Sequence, residues 1–67
     1  MITLDDGTVI NDLYDAYLWL KEAWIYEPYN IYYDEINKSI VVEPTRDNYD
    51  EYTHDIFTLE DFENFIK

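Results

Sequence analysis

A small α+β domain is the fold class this sequence predicts. Three observations predict it: one amphipathic stretch long enough for a helix, three short segments of strand composition behind it, and a capping signal that opens a last helix. The 67 residues read as one acidic domain, 1–67, without internal repeat, low-complexity tract or linker. A chain of this length buries only about 60% of the surface its unfolded form exposes, so modest stability and little room for a pocket are expected. Eight Tyr, three Phe and two Trp partly compensate. Each large ring encloses on the order of 150–250 Å² when buried.

Taken in order, Ile2, Thr3 and Leu4 and then Thr8, Val9 and Ile10 flank Asp5, Asp6 and Gly7. Gly accepts positive φ, so the Asp-Gly pair predicts a turn and the flanking runs a short hairpin. The stretch 11–24 is the helix around which the rest is arranged. Leu13, Tyr17, Leu20 and Trp24 recur at intervals of four, three and four residues, with Ala16 and Ala23 beside them, forming one stripe at a 3.6-residue period. Asn11 is expected to be its N-cap, and Asp12 and Asp15 place negative charge near the positive end of the helix dipole. Pro28 pushes Glu27 out of helical conformation, so the helix should finish by about Tyr26. Tyr14, Leu18 and Trp19 do not fit one narrow stripe, and burial in the core is expected for them rather than exposure to a partner.

Residues 29–34 (YNIYYD) and 39–43 (SIVVE) have strand composition, with the polar turn 35–38 between them, and should pair as an antiparallel hairpin. Pro44 should end the second strand, 45–51 (TRDNYDE) reads as a mobile acidic loop, and 52–57 (YTHDIF) as a third strand. Thr58 and Asp61 resemble a capping box with Asp in place of Glu or Gln, and Phe57 is placed to staple onto Phe62. A helix over 59–66 follows, with Leu59, Phe62, Phe65 and Ile66 on one side and Glu60, Asp61, Glu63 and Asn64 largely outward. Two amphipathic helices and an antiparallel sheet share one core when the helices cover one sheet face, which leaves the other face open.

Sixteen Asp and Glu stand against four Lys and Arg, a net charge of −12. Such a balance repels phosphates and anionic lipid heads, which argues against direct binding to nucleic acid or a membrane surface and for a basic protein as partner. Solubility alone requires no such excess, and disorder requires few aromatic and β-branched residues, in which this chain is rich. There is no cysteine, hence no disulfide or thiolate metal site. The opening MITLDDGT lacks the basic and apolar segments of a signal peptide, and no apolar run approaches the ~18 residues of a membrane span. A cytoplasmic location is expected.

Catalytic constellations are missing. His54 is the only histidine and Ser39 the only serine, so no triad has support; His54 reads as structural and the chain as non-enzymatic. An EF-hand loop begun at Asp47 would put Tyr49 at a ligand position, Tyr52 where Gly is required and Thr58 where Glu is required. Neither a metal nor a cofactor is expected.

The functional expectation rests on strand alternation. Ile31 and Tyr33 point one way while Tyr32 and Asp34 point the other, and Ile40 and Val42 likewise oppose Val41 and Glu43. With Ile56 inward, the open face presents Tyr32, Asp34, Val41, Glu43, Thr53 and Asp55. Carboxylates so placed are held ~6.8 Å apart along a strand and ~4.8 Å apart between strands. Nucleic acid also presents closely spaced negative charges. The expected partner-binding residues are Tyr32, Asp34, Glu43 and Asp55 on this face, with Asp47, Tyr49, Asp50, Glu51 and Tyr52 from the acidic loop and the strand start after it. Tyr32, Tyr49 and Tyr52 are the candidate amphipathic anchors. The chain is therefore expected to be an inhibitor that occupies the basic nucleic-acid-binding surface of a target protein as a DNA or RNA mimic. Small acidic proteins of phages and mobile elements directed at restriction, CRISPR or DNA-repair enzymes have this size and charge, an analogy of class drawn from composition. The alternative is an interaction module, immunity- or antitoxin-like or regulatory, whose basic target surface is not a nucleic-acid channel. Crowding is further expected to raise the carboxyl pKa values.

Overall fold

Each end of the chain's first helix is set by a local hydrogen bond, and the rest of the fold is hung from that helix. The computed structural model describes residues 1–48 and 51–67. Its elements are β1 (Ile2–Thr3), β2 (Val9–Ile10), α1 (Leu13–Ala23), β3 (Tyr29–Asp34), β4 (Ser39–Pro44), β5 (His54–Ile56) and α2 (Leu59–Ile66). The N-cap of α1 is Asp12, not Asn11. Asp12 has extended backbone and its carboxylate accepts from the Asp15 N–H at 2.9 Å, while Asp15 reaches back to accept from the Asn11 N–H at 3.2 Å. The helix stops at Ala23, three residues before Tyr26: the Trp24 N–H closes the last turn on Leu20 O at 2.9 Å, and Glu27 N–H bonds to Trp24 O at 3.0 Å. Trp24 is then free to stack on Tyr29 and Phe65, with ring centroids 5.5 and 5.2 Å away.

The opening hairpin pairs Ile2 with Ile10 and Thr3 with Val9. Leu4 N–H donates to Thr8 O at 2.8 Å and Gly7 N–H to Leu4 O at 2.9 Å, which closes a three-residue loop whose last position is left-handed. Gly7 supplies that position, with φ of 91°. The second sheet has the order β3-β4-β5, antiparallel throughout. Its register runs unbroken from Tyr29 opposite Pro44 to Asp34 opposite Ser39, and then from Ile40 opposite Ile56 to Val42 opposite His54. β4 thus extends one residue beyond Glu43 to include Pro44, and β5 is shorter than 52–57. Arg46–Asn48 form a 3₁₀ turn within the acidic loop 45–51.

Both helices lie on one face of this sheet, α1 over β3 and β4 and α2 beside α1 over β5. Between them sits the core of Ile10, Ala16, Leu20, Ile40, Val42, Ile56 and Phe62. The inward parity of Ile40, Val42 and Ile56 is therefore as the alternation predicts. In α2, Thr58 Oγ1 accepts from the Asp61 N–H at 3.0 Å, the expected cap. The staple is absent: Phe57 is 56% exposed, and Phe62 instead meets Trp19 edge to face at 5.8 Å. Trp19 is thus tied into the core, whereas Tyr14 and Leu18, expected there too, are each 48% exposed. Tyr14 packs instead on Tyr17 and Tyr33, and Leu18 lies across the helix from the buried Ala16 and Leu20. No helix among the described residues is long and apolar enough to cross a membrane.

Candidate partner-binding face

Strand parity sends Tyr32, Val41 and Asp55 into one row across the three strands on the face that carries no helix. Glu43 lies two residues along β4 from Val41, opposite Asn30. The Tyr32 hydroxyl donates to Glu43 Oε2 at 3.2 Å, diagonally across the pair. Val41 at the centre is only 7% exposed although no helix covers it. The hydroxyl's pKa is raised above its ordinary value, first by the hydrogen bond to Glu43, then by burial and by the charges of Glu43, Asp55 and Asp34. Tyr32, Glu43 and Asp55 thus share this face, with Glu43 in hydrogen-bond contact with the phenol and Asp34 beside them at the end of β3.

Asp34 has a second duty that the sequence did not reveal. Its Oδ1 accepts from the Ile36 and Asn37 N–H groups at 3.0 and 3.1 Å, and its Oδ2 from Asn37 Nδ2 at 2.9 Å. Those bonds lower its pKa, the Asn37 backbone bond most. They hold a turn in which Lys38 sits at φ of 55°. Asp6 is lowered for the same kind of reason, its carboxylate accepting from Thr8 in the opening turn. The expected upward shift from crowding is thus reversed at both of these carboxyls, because a backbone N–H pointed at a carboxylate outweighs screened repulsion between exposed charges.

The remaining expected residues divide. Asp47, Glu51 and Tyr52 are exposed, and Tyr49 and Asp50 lie outside the described residues. Tyr52 does not join the open face: its ring stacks on His54 at 4.8 Å, and His54 meets Phe65 of α2 at 5.0 Å, on the helix-covered side. His54 is packed between two rings. Two features escaped the sequence reading. Asn30 shares the open face, which the same alternation could have shown. A cleft of about 310 Å³ lies where the opening turn meets the end of α2, lined by Leu4, Asp5, Trp19, Glu63, Ile66 and Lys67 among others; nothing local in the sequence brings those segments together.

Counter-charges are scarce. Among the described residues one ion pair forms, Lys67 Nζ to Glu63 Oε1 at 4.0 Å, and no group of three or more acidic or histidine side chains is placed to hold a metal ion. Chemically the open face can accept hydrogen bonds from cationic donors and offer one aromatic surface. Compared with family models, curated proteins and solved structures, the chain matches none.

Proposed function

We propose that this protein inhibits a nucleic-acid-binding protein by occupying its basic surface with the open sheet face, as a mimic of DNA or RNA. The observation that carries the reading is the placing of Tyr32, Glu43 and Asp55 together on the helix-free face, on a chain of net charge −12 in which cationic side chains are few. Affinity comes from carboxylates meeting Arg and Lys, and register from a frame that loses little entropy on docking because its strands are already paired. Tyr32, with its hydroxyl held by Glu43 and the residue 45% exposed, is the amphipathic anchor.

The test uses the protein as bait in host lysate, with excess duplex DNA and then RNA as competitor at fixed salt. A captured nucleic-acid enzyme that the competitor displaces, and that the E43K/D55K variant fails to capture, supports mimicry at its substrate site. A partner that nucleic acid leaves in place favours instead an immunity- or antitoxin-like module acting on another basic patch. Asp34 is left intact in the variant because it holds the 35–38 turn.

A further inference from the structure

The order β3-β4-β5 leaves β3 with a free edge six residues long. Proteins guard such edges by keeping them short, by Lys or Pro on the strand, by bulges, or by a covering segment. At the opposite side of the sheet β5 is three residues long, which is guard enough. β3 has neither Pro nor Lys, and its register with β4 contains no bulge. Among the described residues, no other element makes a backbone hydrogen bond to residues 30–34.

What borders this edge on each side is set by α1. Tyr14 meets Tyr33 edge to face at 5.3 Å and Trp24 meets Tyr29 at 5.5 Å, so the helix runs along β3 in the opposite sense. Trp19 points toward α2, and on the β3 side α1 presents Tyr14 and Tyr17, both packed against Tyr33, with Lys21 Nζ 5.7 Å from the centre of the Tyr17 ring. A strand added beside β3 would send alternate side chains to two different surroundings. One set would lie against the tyrosine-lined flank of α1, the other beside Tyr32 and Asp34 on the acidic face.

We infer that β3 is a docking edge for an extended segment of a basic partner in which Lys or Arg alternates with apolar residues. Charge decides the occupant. A second copy of this chain would bring two bodies of −12 together with Asp34 in the shared sheet, and like charges set close across a pair are destabilising. The same charge that guards the edge against self-pairing selects a strand of opposite sign. The availability of the edge is independent of the function proposed above, whereas the choice of a basic strand rests on it.

The probe is a capped peptide of alternating Lys and Val, compared with an isomer of the same composition in which the lysines and valines form separate blocks. Both are titrated into isotope-labelled protein and followed by amide shifts, hydrogen exchange and intermolecular NOEs. The alternating peptide should bind about tenfold more tightly than its isomer, and β3 amides should exchange about tenfold more slowly in its presence. E43K/D55K should weaken both peptides and keep the β3 contacts of the alternating one. Equal binding of the isomers without new β3 protection would overturn the edge and leave the acidic face standing. β3 protection that neither salt nor E43K/D55K weakens would overturn the basic occupant and leave the edge standing. Concentration-dependent β3 protection without peptide would overturn the proposal in favour of a second copy, and absence of binding by either peptide would overturn it outright.

Discussion

Tyr32 and Glu43 are joined by a hydroxyl-to-carboxylate hydrogen bond of 3.2 Å that crosses the β3–β4 pair on the diagonal. The bond favours the neutral phenol, and the nearby Asp55 and Asp34 charges act in the same direction. Tyr32 should therefore ionise above its ordinary value. Because its folded pKa is raised, its contribution to stability is complete below the unfolded value near 10 and is lost as pH rises through the folded value. Glu43→Gln should bring the Tyr32 titration down. NMR of ring-labelled tyrosine reads this directly, and an unchanged Tyr32 titration in that variant would remove the coupling.

Acid should weaken the fold through Asp34 and Asp6. Their folded pKa values are lowered by backbone donors, so the folded state binds fewer protons than the unfolded one. The stability they contribute is present above the unfolded value of about 3.9 and is lost as pH falls through the lower folded value. Denaturant melts between neutral pH and pH 3 should show a declining midpoint on the acid side, less steep in D6A/D34A. At neutral pH Asp34→Ala should lower the midpoint more than Asp55→Ala, whose carboxylate is exposed and accepts no bond from the protein among those described.

Asp12 and Asn11 separate the cap from its neighbour. Asp12→Ala should cost about 1 kcal/mol, a shift of roughly 4–8 °C in melting temperature for a domain of this size. Asn11→Ala should cost only about 0.3 kcal/mol or less, since its side chain caps nothing. Thermal melts of the two single variants decide; equal losses would return the cap to Asn11.

Phe62 is fully buried against Trp19, and Phe57 is more than half exposed. Phe62→Ala should cost about 3–5 kcal/mol, much of the margin of a small domain, and Phe57→Ala about 0.5 kcal/mol or less. Chemical denaturation of each variant is the check. Comparable losses would restore the staple.

Local signals in the sequence were sufficient for most elements. β3 was bounded by Pro28 on one side and a polar turn on the other, and α2 by a Thr58 cap that works as its spacing implies. What misled was competition between neighbours. Asn11 and Asp12 are both good caps, and it is the Asp12 carboxylate that takes the Asp15 N–H. Phe57 and Trp19 both compete for Phe62, and the larger ring, brought in by helix packing, takes the place. On the candidate site, period-two alternation sufficed to group Tyr32, Glu43 and Asp55, because parity is a local property. It could not show that Tyr52 turns to His54, that Val41 is covered by its own face, or that Asp34 is bound within its turn.

Two kinds of acid can be told apart among the described residues by an exchange that preserves charge. Asp6, Asp12, Asp15 and Asp34 each accept a backbone N–H within four residues. Swapping them for Glu alters geometry while the field around the molecule stays the same. At Glu43 and Asp55 the swap leaves local backbone bonding alone and moves a carboxylate by one methylene. A scan of Asp-to-Glu and Glu-to-Asp variants, scored once for abundance and once for partner capture, thus divides the negative surface into the part that holds the chain in shape and the part left over for another molecule to read.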